Sequence, residues 1–251
     1  VDFRIYSCNF LSQQIVIVLF YALKAGLYMM AQYQIFILLL FLFTGTLQLN
    51  AQEIDPDDSF TFDLCLPNAM SNQPYQNIMQ GLVHASMHYQ YAFKSGYYVG
   101  MGAHYSYFAI NEFRVTPKVY GGIHSAAAFL KTGHEKFWSE RFGTDIGLRA
   151  GWVRSYVVSD ALVQLGQSPQ MREGIYLEPN ISLVLTADVN QSFRLTIGYP
   201  LYAYPFSPQL IGIEGNMGYD PLEFEKNSTF LSVGFGFTYY LNGKKSSAVE
   251  D

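Results

Sequence analysis

Histidines are the residues of this sequence whose type and spacing could do chemistry. Four of the five could share one site, namely His84, His88, His104 and His124. Imidazole is a common ligand of zinc, copper and nickel, and it exchanges a proton within the physiological pH range. The tripeptide His84-Ala85-Ser86 also places a base two residues from a hydroxyl, and nucleophilic catalysis by serine requires a base within hydrogen-bond distance of the hydroxyl. A metal site, a pH-responsive cluster and a hydrolytic site are therefore the chemistries to weigh.

The elements that must position these histidines are extended segments with two unlike faces. In Val83–Phe93 the odd-numbered residues are apolar, and the even-numbered ones include three polar side chains, His84, Ser86 and His88. Alternation with period two predicts a β-strand with one oily and one polar face. The pattern recurs in eight segments: about Ser59–Leu66, Ile78–Phe93, Tyr97–Ile110, about Lys118–Lys131, Phe142–Val158, Gly174–Ala187, Ser192–Ala203 and Thr229–Leu241. The fourth is less regular, because Ser125 falls on its oily side.

The connections between these segments alternate in length. Residues 67–77, 111–117, 159–173 and 204–228 form the longer ones, and residues 94–96, 137–141 and 188–191 the shorter ones. Outer-membrane barrels have short periplasmic turns and longer extracellular loops. The alternation therefore predicts periplasmic termini, with every long connection outside the cell.

The composition indicates which face of the strands points inward. Aromatic residues make up 17% of the chain and charged residues only 14%, against a usual charged share of about 25%. A soluble lipocalin-like barrel would put the oily face inside, but an eight-stranded interior is just wide enough for side chains to fill. The polar face carries small residues and few charges, which suits a packed lumen better than a water-facing surface. The oily face is therefore predicted to face lipid.

The predicted fold is all-β, an eight-stranded antiparallel up-and-down transmembrane β-barrel preceded by a signal peptide. It resembles small outer-membrane barrels of the OmpA and OmpX type over Ser59–Leu241, including the last strand FLSVGFGFTYYL. The resemblance implies insertion by the barrel-assembly machinery and contact with outer-membrane lipid and lipopolysaccharide. The chain departs from many such barrels by continuing as NGKKSSAVED.

Four ranges follow from this interpretation. Residues 30–52 are predicted to be a signal peptide, because the apolar stretch Ile35–Phe43 is too short to span a bilayer. Residues 1–29 are an upstream or non-mature segment, residues 53–241 the barrel, and residues 242–251 a short periplasmic tail. A two-span N-terminus is the alternative for the first two ranges. The ending Asn50-Ala51-Gln52 resembles signal peptides of Bacteroidota, which are diderm bacteria.

A tight hairpin at residues 94–96 would fix the histidine register. Residues whose numbers sum to about 190 then lie opposite each other, which pairs Ser86 with His104 and His84 with Ser106. The predicted polar cluster of the lumen is His84, Ser86, His88, His104, His124, Asp145, Arg149, Glu178 and Arg194. A hydrogen-bonded plug is the favoured interpretation, and a metal site or a pH response are the alternatives.

No enzyme activity, cofactor or metal is predicted. The pair His84 and Ser86 resembles the His-x-Ser pair of lipid A deacylases, but both residues point into the predicted lumen, away from the lipid substrate. Aromatic residues near strand ends are expected to anchor the membrane interface: Tyr97, Trp138, Tyr156, Tyr204 and Tyr239. Cys65 has no partner for a disulfide within the predicted barrel.

The expected function is that of a structural or surface-binding barrel with a plugged lumen and long extracellular loops. A narrow pore is the alternative, and a lipid A-modifying enzyme is less favoured. The net charge of −5 and the lack of a basic stretch argue against nucleic acid as a partner. The loop of residues 204–228 holds four acidic residues, and an extracellular ligand is possible there: Glu214, Asp220, Glu223 and Glu225.

Overall fold

A computed structural model describes residues 54–116, 118–167, 169–213, 215, 217–242 and 245–246. The predicted upstream segment and signal peptide, residues 1–29 and 30–52, lie outside these ranges, as does most of the predicted tail. Among the described residues, no helix has the length and apolar character to cross a membrane.

Strands dominate the described chain. They are β1 (Ile54–Asp55), β2 (Ser59–Ala69), β3 (Met79–Ala92), β4 (Tyr97–Ile110), β5 (Gly121–Phe137), β6 (Phe142–Ser159), β7 (Gln170–Asp188), β8 (Gln191–Gly198), β9 (Leu201–Pro205), β10 (Asn227–Tyr240) and β11 (Lys245–Ser246). Two short helices, α1 (Gln73–Ile78) and α2 (Asp160–Gln164), and two 3-10 turns, Pro208–Ile211 and Pro221–Glu225, lie in the connections.

The sheet closes on itself. Neighbouring strands from β2 to β8 pair antiparallel in chain order, and β10 pairs with both β8 and β2. Strands β8 and β9 follow one another along a single position of the barrel wall, interrupted at Tyr199 and Pro200, and both pair with β7 and β10. Each such position of the wall, whether one strand or two, is called a stave below. The barrel therefore has eight staves, which confirms the predicted eight-stranded antiparallel barrel but not the signal peptide predicted to precede it. Closure pairs the backbone groups between strands and leaves no free sheet edge.

The strand bounds agree with the sequence to within four residues except on two staves. The third predicted segment coincides with β4, Tyr97–Ile110. The fourth was placed at Lys118–Lys131, whereas β5 spans Gly121–Phe137 and pairs with β6 along its whole length. The seventh was predicted as continuous, but Pro200 has no amide hydrogen for a ladder and the stave breaks there.

Large apolar side chains cover the outside of the barrel. Met87, Met101, Leu130 and Phe235 are each more than 60% exposed. A soluble monomer rarely exposes apolar patches larger than a few hundred Å², whereas a spanning barrel carries such a band against lipid. The apolar side chains at alternate positions of the strands therefore face outward, as predicted.

The parity of β5 differs from the prediction. Its odd-numbered residues face inward, including Ser125, Lys131 and Glu135, while His124 and Leu130 face outward. Ser125 was irregular for this reason, because β5 turns Ser125, Lys131 and Glu135 into the polar interior. The prediction that His124 points into the lumen is therefore wrong.

One of the five predicted interface anchors also lies inside. Tyr97, Tyr156 and Tyr239 are outward and at least 40% exposed. Tyr204 is 7% exposed, and its hydroxyl lies 2.6 Å from Ser155 Oγ inside the barrel. Even-numbered residues of β8 and β9 face inward, so Tyr204 contributes to the interior and not to the girdle.

The two ends of the barrel are built differently. Short turns join β3 to β4, β5 to β6 and β7 to β8 at the end where β2 begins and β10 finishes. All longer connections gather at the opposite end, where an apolar cluster lies beneath them. Helix α1 contributes to this cluster, since Tyr75 packs 5.1 Å from Phe108 and 5.5 Å from Phe206, measured between ring centroids.

Candidate functional site in the barrel lumen

Three of the four singled-out histidines meet in the lumen. The β3–β4 ladder pairs His84 with Ser106, Ser86 with His104 and His88 with Gly102, which is the predicted register. The rings of His84 and His104 are 4.9 Å apart. His104 Nε2 lies 2.9 Å from the hydroxyl of Tyr202, which comes from the far stave β9. The histidines are thus joined to side chains across the barrel.

His124 takes a different place, on the outer surface. Its Nδ1 lies 2.8 Å from the Tyr105 hydroxyl, and its ring stacks on Tyr107 at 4.5 Å. These two tyrosines also face outward, on the adjacent strand β4. His124 is therefore separated from the lumen histidines by the wall of the barrel.

An upper ion cluster, defined as Asp63, Arg149 and Glu178, crosses the middle of the lumen. Arg149 Nη2 donates to Asp63 Oδ2 at 2.7 Å, and Arg149 Nη1 donates to Glu178 Oε1 at 3.2 Å. Ser86 donates to Asp63 at 3.0 Å and accepts from Arg149 at 3.2 Å. The Tyr176 hydroxyl donates to Glu178. Strands β2, β3, β6 and β7 are joined through this cluster.

A lower ion cluster, defined as Lys131, Glu135, Asp145 and Arg194, lies nearer the short turns. Lys131 Nζ donates to Asp145 Oδ2 at 3.0 Å, and Arg194 bridges Asp145 and Glu135, reaching the latter at 2.6 Å. Three further polar groups complete its surroundings: Gln90, 2.6 Å from Lys131, Tyr98, which donates to Asp145, and Tyr240, 2.8 Å from Glu135. The cluster extends from β3 to β10.

Several members of these clusters were absent from the predicted set. Lys131 and Glu135 were missed because the parity of β5 was assigned in reverse, and their shared odd numbering with Ser125 was the available signal. Four tyrosines that hydrogen-bond to other side chains of the lumen carried no such signal, because tyrosine is equally common at membrane interfaces: Tyr98, Tyr176, Tyr202 and Tyr240.

The lumen charges nearly cancel. Among the described residues, the buried acidic side chains are four carboxylates and the buried lysine and arginine side chains are three cations, and none of the seven is more than 3% exposed. His84 Nε2 lies 3.7 Å from Glu178 Oε2. Buried charges persist in proteins only when they are paired and hydrogen-bonded. The two ion clusters satisfy that requirement.

Glycines provide the space into which the charged groups fit. A Cβ atom at Gly198 would lie 2.4 Å from Glu178 Oε1, and one at Gly236 would lie 2.2 Å from Asp63 Oδ1. Both glycines face inward on strands that pair directly with those of the acidic residues, β8 beside β7 and β10 beside β2. An eight-stranded barrel has room for one filling layer of side chains, so residues without a side chain are needed where the ion clusters touch the wall.

The metal and hydrolytic chemistries each require a particular grouping of side chains. The described residues contain no cluster of three or more histidine, cysteine or acidic side chains placed to hold a metal ion. The predicted pair of His84 and Ser86 is not hydrogen-bonded: Ser86 Oγ donates to Asp63 and accepts from Arg149, and neither ring nitrogen of His84 has a hydrogen-bond partner among the described residues. The geometry provides hydrogen bonds and ion pairs that connect different strands of the barrel through the lumen.

The fold and the site together define the class of this protein. Eight antiparallel staves, an outward apolar band and a buried polar interior are the architecture of a small outer-membrane-type β-barrel. This confirms the resemblance to barrels of the OmpA and OmpX type.

Three solved structures are among those similar to this chain. Neisserial surface protein A is 12% identical, with a TM-score of 0.47 over 73% of this chain and 97% of that one. Ail, the attachment invasion locus protein of Yersinia pestis, is 11% identical, with a TM-score of 0.44 over 74% and 98%. OprG, an outer membrane protein of Pseudomonas aeruginosa, is 11% identical, with a TM-score of 0.42 over 76% and 100%. At such values no activity carries over to this chain.

No protein-family model matches the sequence, and no curated protein is significantly similar to it.

Proposed function

We propose that this protein is an integral outer-membrane barrel whose lumen is closed and whose long loops form a binding or structural surface. The observation that carries the proposal is the pair of ion clusters across the lumen, because each links side chains from opposite walls through charge-assisted hydrogen bonds. A solute would have to separate buried ion pairs to pass. Removing one partner of such a pair typically costs about 3–5 kcal/mol.

The loop end supports the second part of the proposal. Asn72 Nδ2 donates to the carbonyl oxygens of Phe206 and Lys226, which ties α1 to the longest connection. Glu223 accepts hydrogen bonds from Lys226 Nζ and from the backbone N–H of Gln73, and these bonds hold the pKa of Glu223 below its usual value. Such loops present a fixed surface, and a fixed surface loses less entropy on binding than a mobile one.

The proposal includes a location and an orientation. The termini lie in the periplasm and the longer connections outside the cell, as in outer-membrane barrels with short periplasmic turns. Insertion is by the barrel-assembly machinery, and lipopolysaccharide and outer-membrane phospholipid surround the apolar band. The barrel performs no catalysis and holds no cofactor.

Single-channel recording of the refolded protein in a planar bilayer tests the closed lumen. We expect no steady openings at pH 7.5 or at pH 5, because the ion pairs do not depend on the histidines for their contacts. The triple variant His84→Ala, His88→Ala and His104→Ala is measured beside it, with His124→Ala as the control on the outer face. Steady openings of the unmodified protein at either pH would contradict the closed lumen and favour the narrow pore. Openings confined to the triple variant would show that the histidines complete the closure.

A further inference from the structure

A polar pocket of about 320 Å³ opens at the loop end of the β2–β3 seam. It is lined by residues of β2, α1, β3 and the β4–β5 connection: Pro67, Asn68, Gln76, Asn77, Met79, Gln80, Gly81, Asn111 and Arg114. Its volume falls in the lower part of the range of small-molecule sites, roughly 300–1,000 Å³. Such sites are mostly apolar, whereas six of these nine side chains carry an amide or a guanidinium.

The pocket exists because β2 and β3 stop pairing before they end. Their register runs up to Cys65 opposite His84, and β3 has an irregularity between Gly81 and Val83. Pro67 has no amide hydrogen to give to a neighbouring strand. A Cβ at Gly81 would lie 2.0 Å from the Pro67 carbonyl oxygen, so the two backbones touch without forming the ladder. The junction between β2 and β3 is therefore polar at its loop end, and the backbone hydrogen bonds between the two strands are incomplete there.

The pocket lies where the apolar band ends. Leu66 on β2 is 69% exposed and Leu82 on β3 is 45% exposed. The next outward residues toward the loops are Asn68 and Gln80, which are also exposed. A change from leucine to amide on neighbouring strands marks the boundary between hydrocarbon and lipid headgroups on a barrel. The pocket therefore faces the headgroup layer on the side of the long loops.

The lining has unused hydrogen-bonding capacity. The side chains of Asn68, Gln76, Asn77, Gln80 and Arg114 form no hydrogen bond or ion pair with another residue of the described chain. An amide both donates and accepts, which matches a hydroxyl group. Arg114 is the single charged residue of the lining, and a guanidinium binds phosphate in a bidentate manner. The nearest acidic side chain in sequence, Glu112, lies 3.7 Å from Lys118.

We infer that this pocket binds the hydroxyl-rich, anionic headgroup of an outer-leaflet lipid, with the amides on the hydroxyls and Arg114 on a phosphate. The inference rests on the proposed placement of the barrel in a bilayer. The lipid source follows from the position of the pocket at the end of the apolar band, where the acyl chains lie along Leu66 and Leu82.

Lipid A in phosphatidylcholine nanodiscs is the probe, because its headgroup is a phosphorylated sugar. Native mass spectrometry of the barrel released from nanodiscs with increasing lipid A measures retention of the lipid. Arg114→Gln removes the charge, and Asn68→Leu removes one amide. Arg172→Gln is the matched control, since Arg172 is an exposed arginine at the same end, outside the pocket. All variants must keep the heat-modifiable gel mobility of a folded barrel.

We expect the unmodified protein and Arg172→Gln to retain lipid A equally, and Arg114→Gln to retain it at least about tenfold more weakly, as the loss of a charge-assisted contact predicts. Equal weakening by both arginine variants would overturn the inference, because rim charge alone would then explain retention. Retention of lipid A no greater than that of phosphatidylcholine would overturn it as well. Free glucosamine 1-phosphate binding as tightly as lipid A would place the ligand in solution and not in the membrane.

The two proposals fail in different ways. A barrel that conducts ions but retains lipid A contradicts only the closed lumen. A silent barrel that does not retain lipid A contradicts only the headgroup pocket.

Discussion

Replacing Arg194 with leucine is expected to lower the free energy of unfolding by about 3–5 kcal/mol, because it leaves buried carboxylates without their partner. Arg194 is 1% exposed and contacts both Asp145 and Glu135. Lys131 remains beside Asp145, but Glu135 loses its only cation among the ion pairs of the described residues. The change acts on the lower ion cluster and does not touch the outer surface.

Arg154→Leu is the matched control for this prediction. Arg154 forms an ion pair with Glu173 at 2.7 Å, but the two side chains are 52% and 34% exposed. Exposed pairs contribute about 0–1 kcal/mol. Urea unfolding of both variants in lipid vesicles, followed by tryptophan fluorescence, gives the two values. A loss for Arg194→Leu no larger than that for Arg154→Leu would mean that the lumen pairs are solvated, which would argue against a closed interior.

Replacing Leu130 with arginine is expected to cost about 2–4 kcal/mol of folding free energy, because a lipid-facing arginine near the middle of the bilayer must leave water. Leu130 lies outward on β5, between Met101 of β4 and Ala150 of β6 in the ladder. In water the same substitution would be nearly neutral, since surface changes usually stay within about 0.5 kcal/mol. The size of the effect therefore reports the medium outside the barrel.

Leu222→Arg is a closely matched comparison for Leu130→Arg. Both leucines are 66% exposed, but Leu222 lies in the 3-10 turn Pro221–Glu225 of the longest connection. We expect no measurable loss there, in the same vesicle unfolding assay. Similar small effects at both positions would contradict the assignment of the outward parity to lipid.

The fold was largely predictable because period-two alternation is a local signal. In β4 the outward Val99, Met101 and Tyr105 alternate with the inward Gly102 and His104, and the predicted bounds coincide with the strand. The tight hairpin at residues 94–96 then fixed the β3–β4 register by counting alone. Strand number and face assignment follow from the same two signals on the other staves.

The errors arose where the local signal was weak. On β5 the outward even-numbered side chains include Ala126, Ala128 and Thr132, so neither face looked distinctly oily. Because Ile123 and Phe129 are apolar, the odd-numbered face of β5 was assigned to the outside of the barrel, and His124 on the other face was assigned to the lumen. The structure has Ile123 and Phe129 inside and His124 outside. The ion pairs of the lumen could not be predicted from the sequence, because their members are far apart in it. Arg149 and Asp63, for example, are separated by 86 residues. Such contacts depend on the stagger of the whole barrel, which no single strand encodes.

The same limit applies to the candidate sites. The polar character of the lumen followed from parity, whereas the pocket at the β2–β3 seam depends on where two strands stop pairing. Pro67 and Gly81 were the available signals, since a proline and a glycine on facing strands weaken a ladder. That Pro67 and Gly81 lie beside each other at the end of the apolar band can be seen only from the strand register.

Quenching of Trp152 fluorescence tests most directly whether the outward face contacts lipid. Trp152 is 53% exposed on β6, opposite Ala128 and Ile175, and Trp138→Phe makes it the single tryptophan of the chain. In vesicles we expect strong quenching by brominated acyl chains and almost none by iodide in the water. Strong quenching by iodide with no effect of brominated lipid would show that this face lies in water, and would contradict a transmembrane barrel.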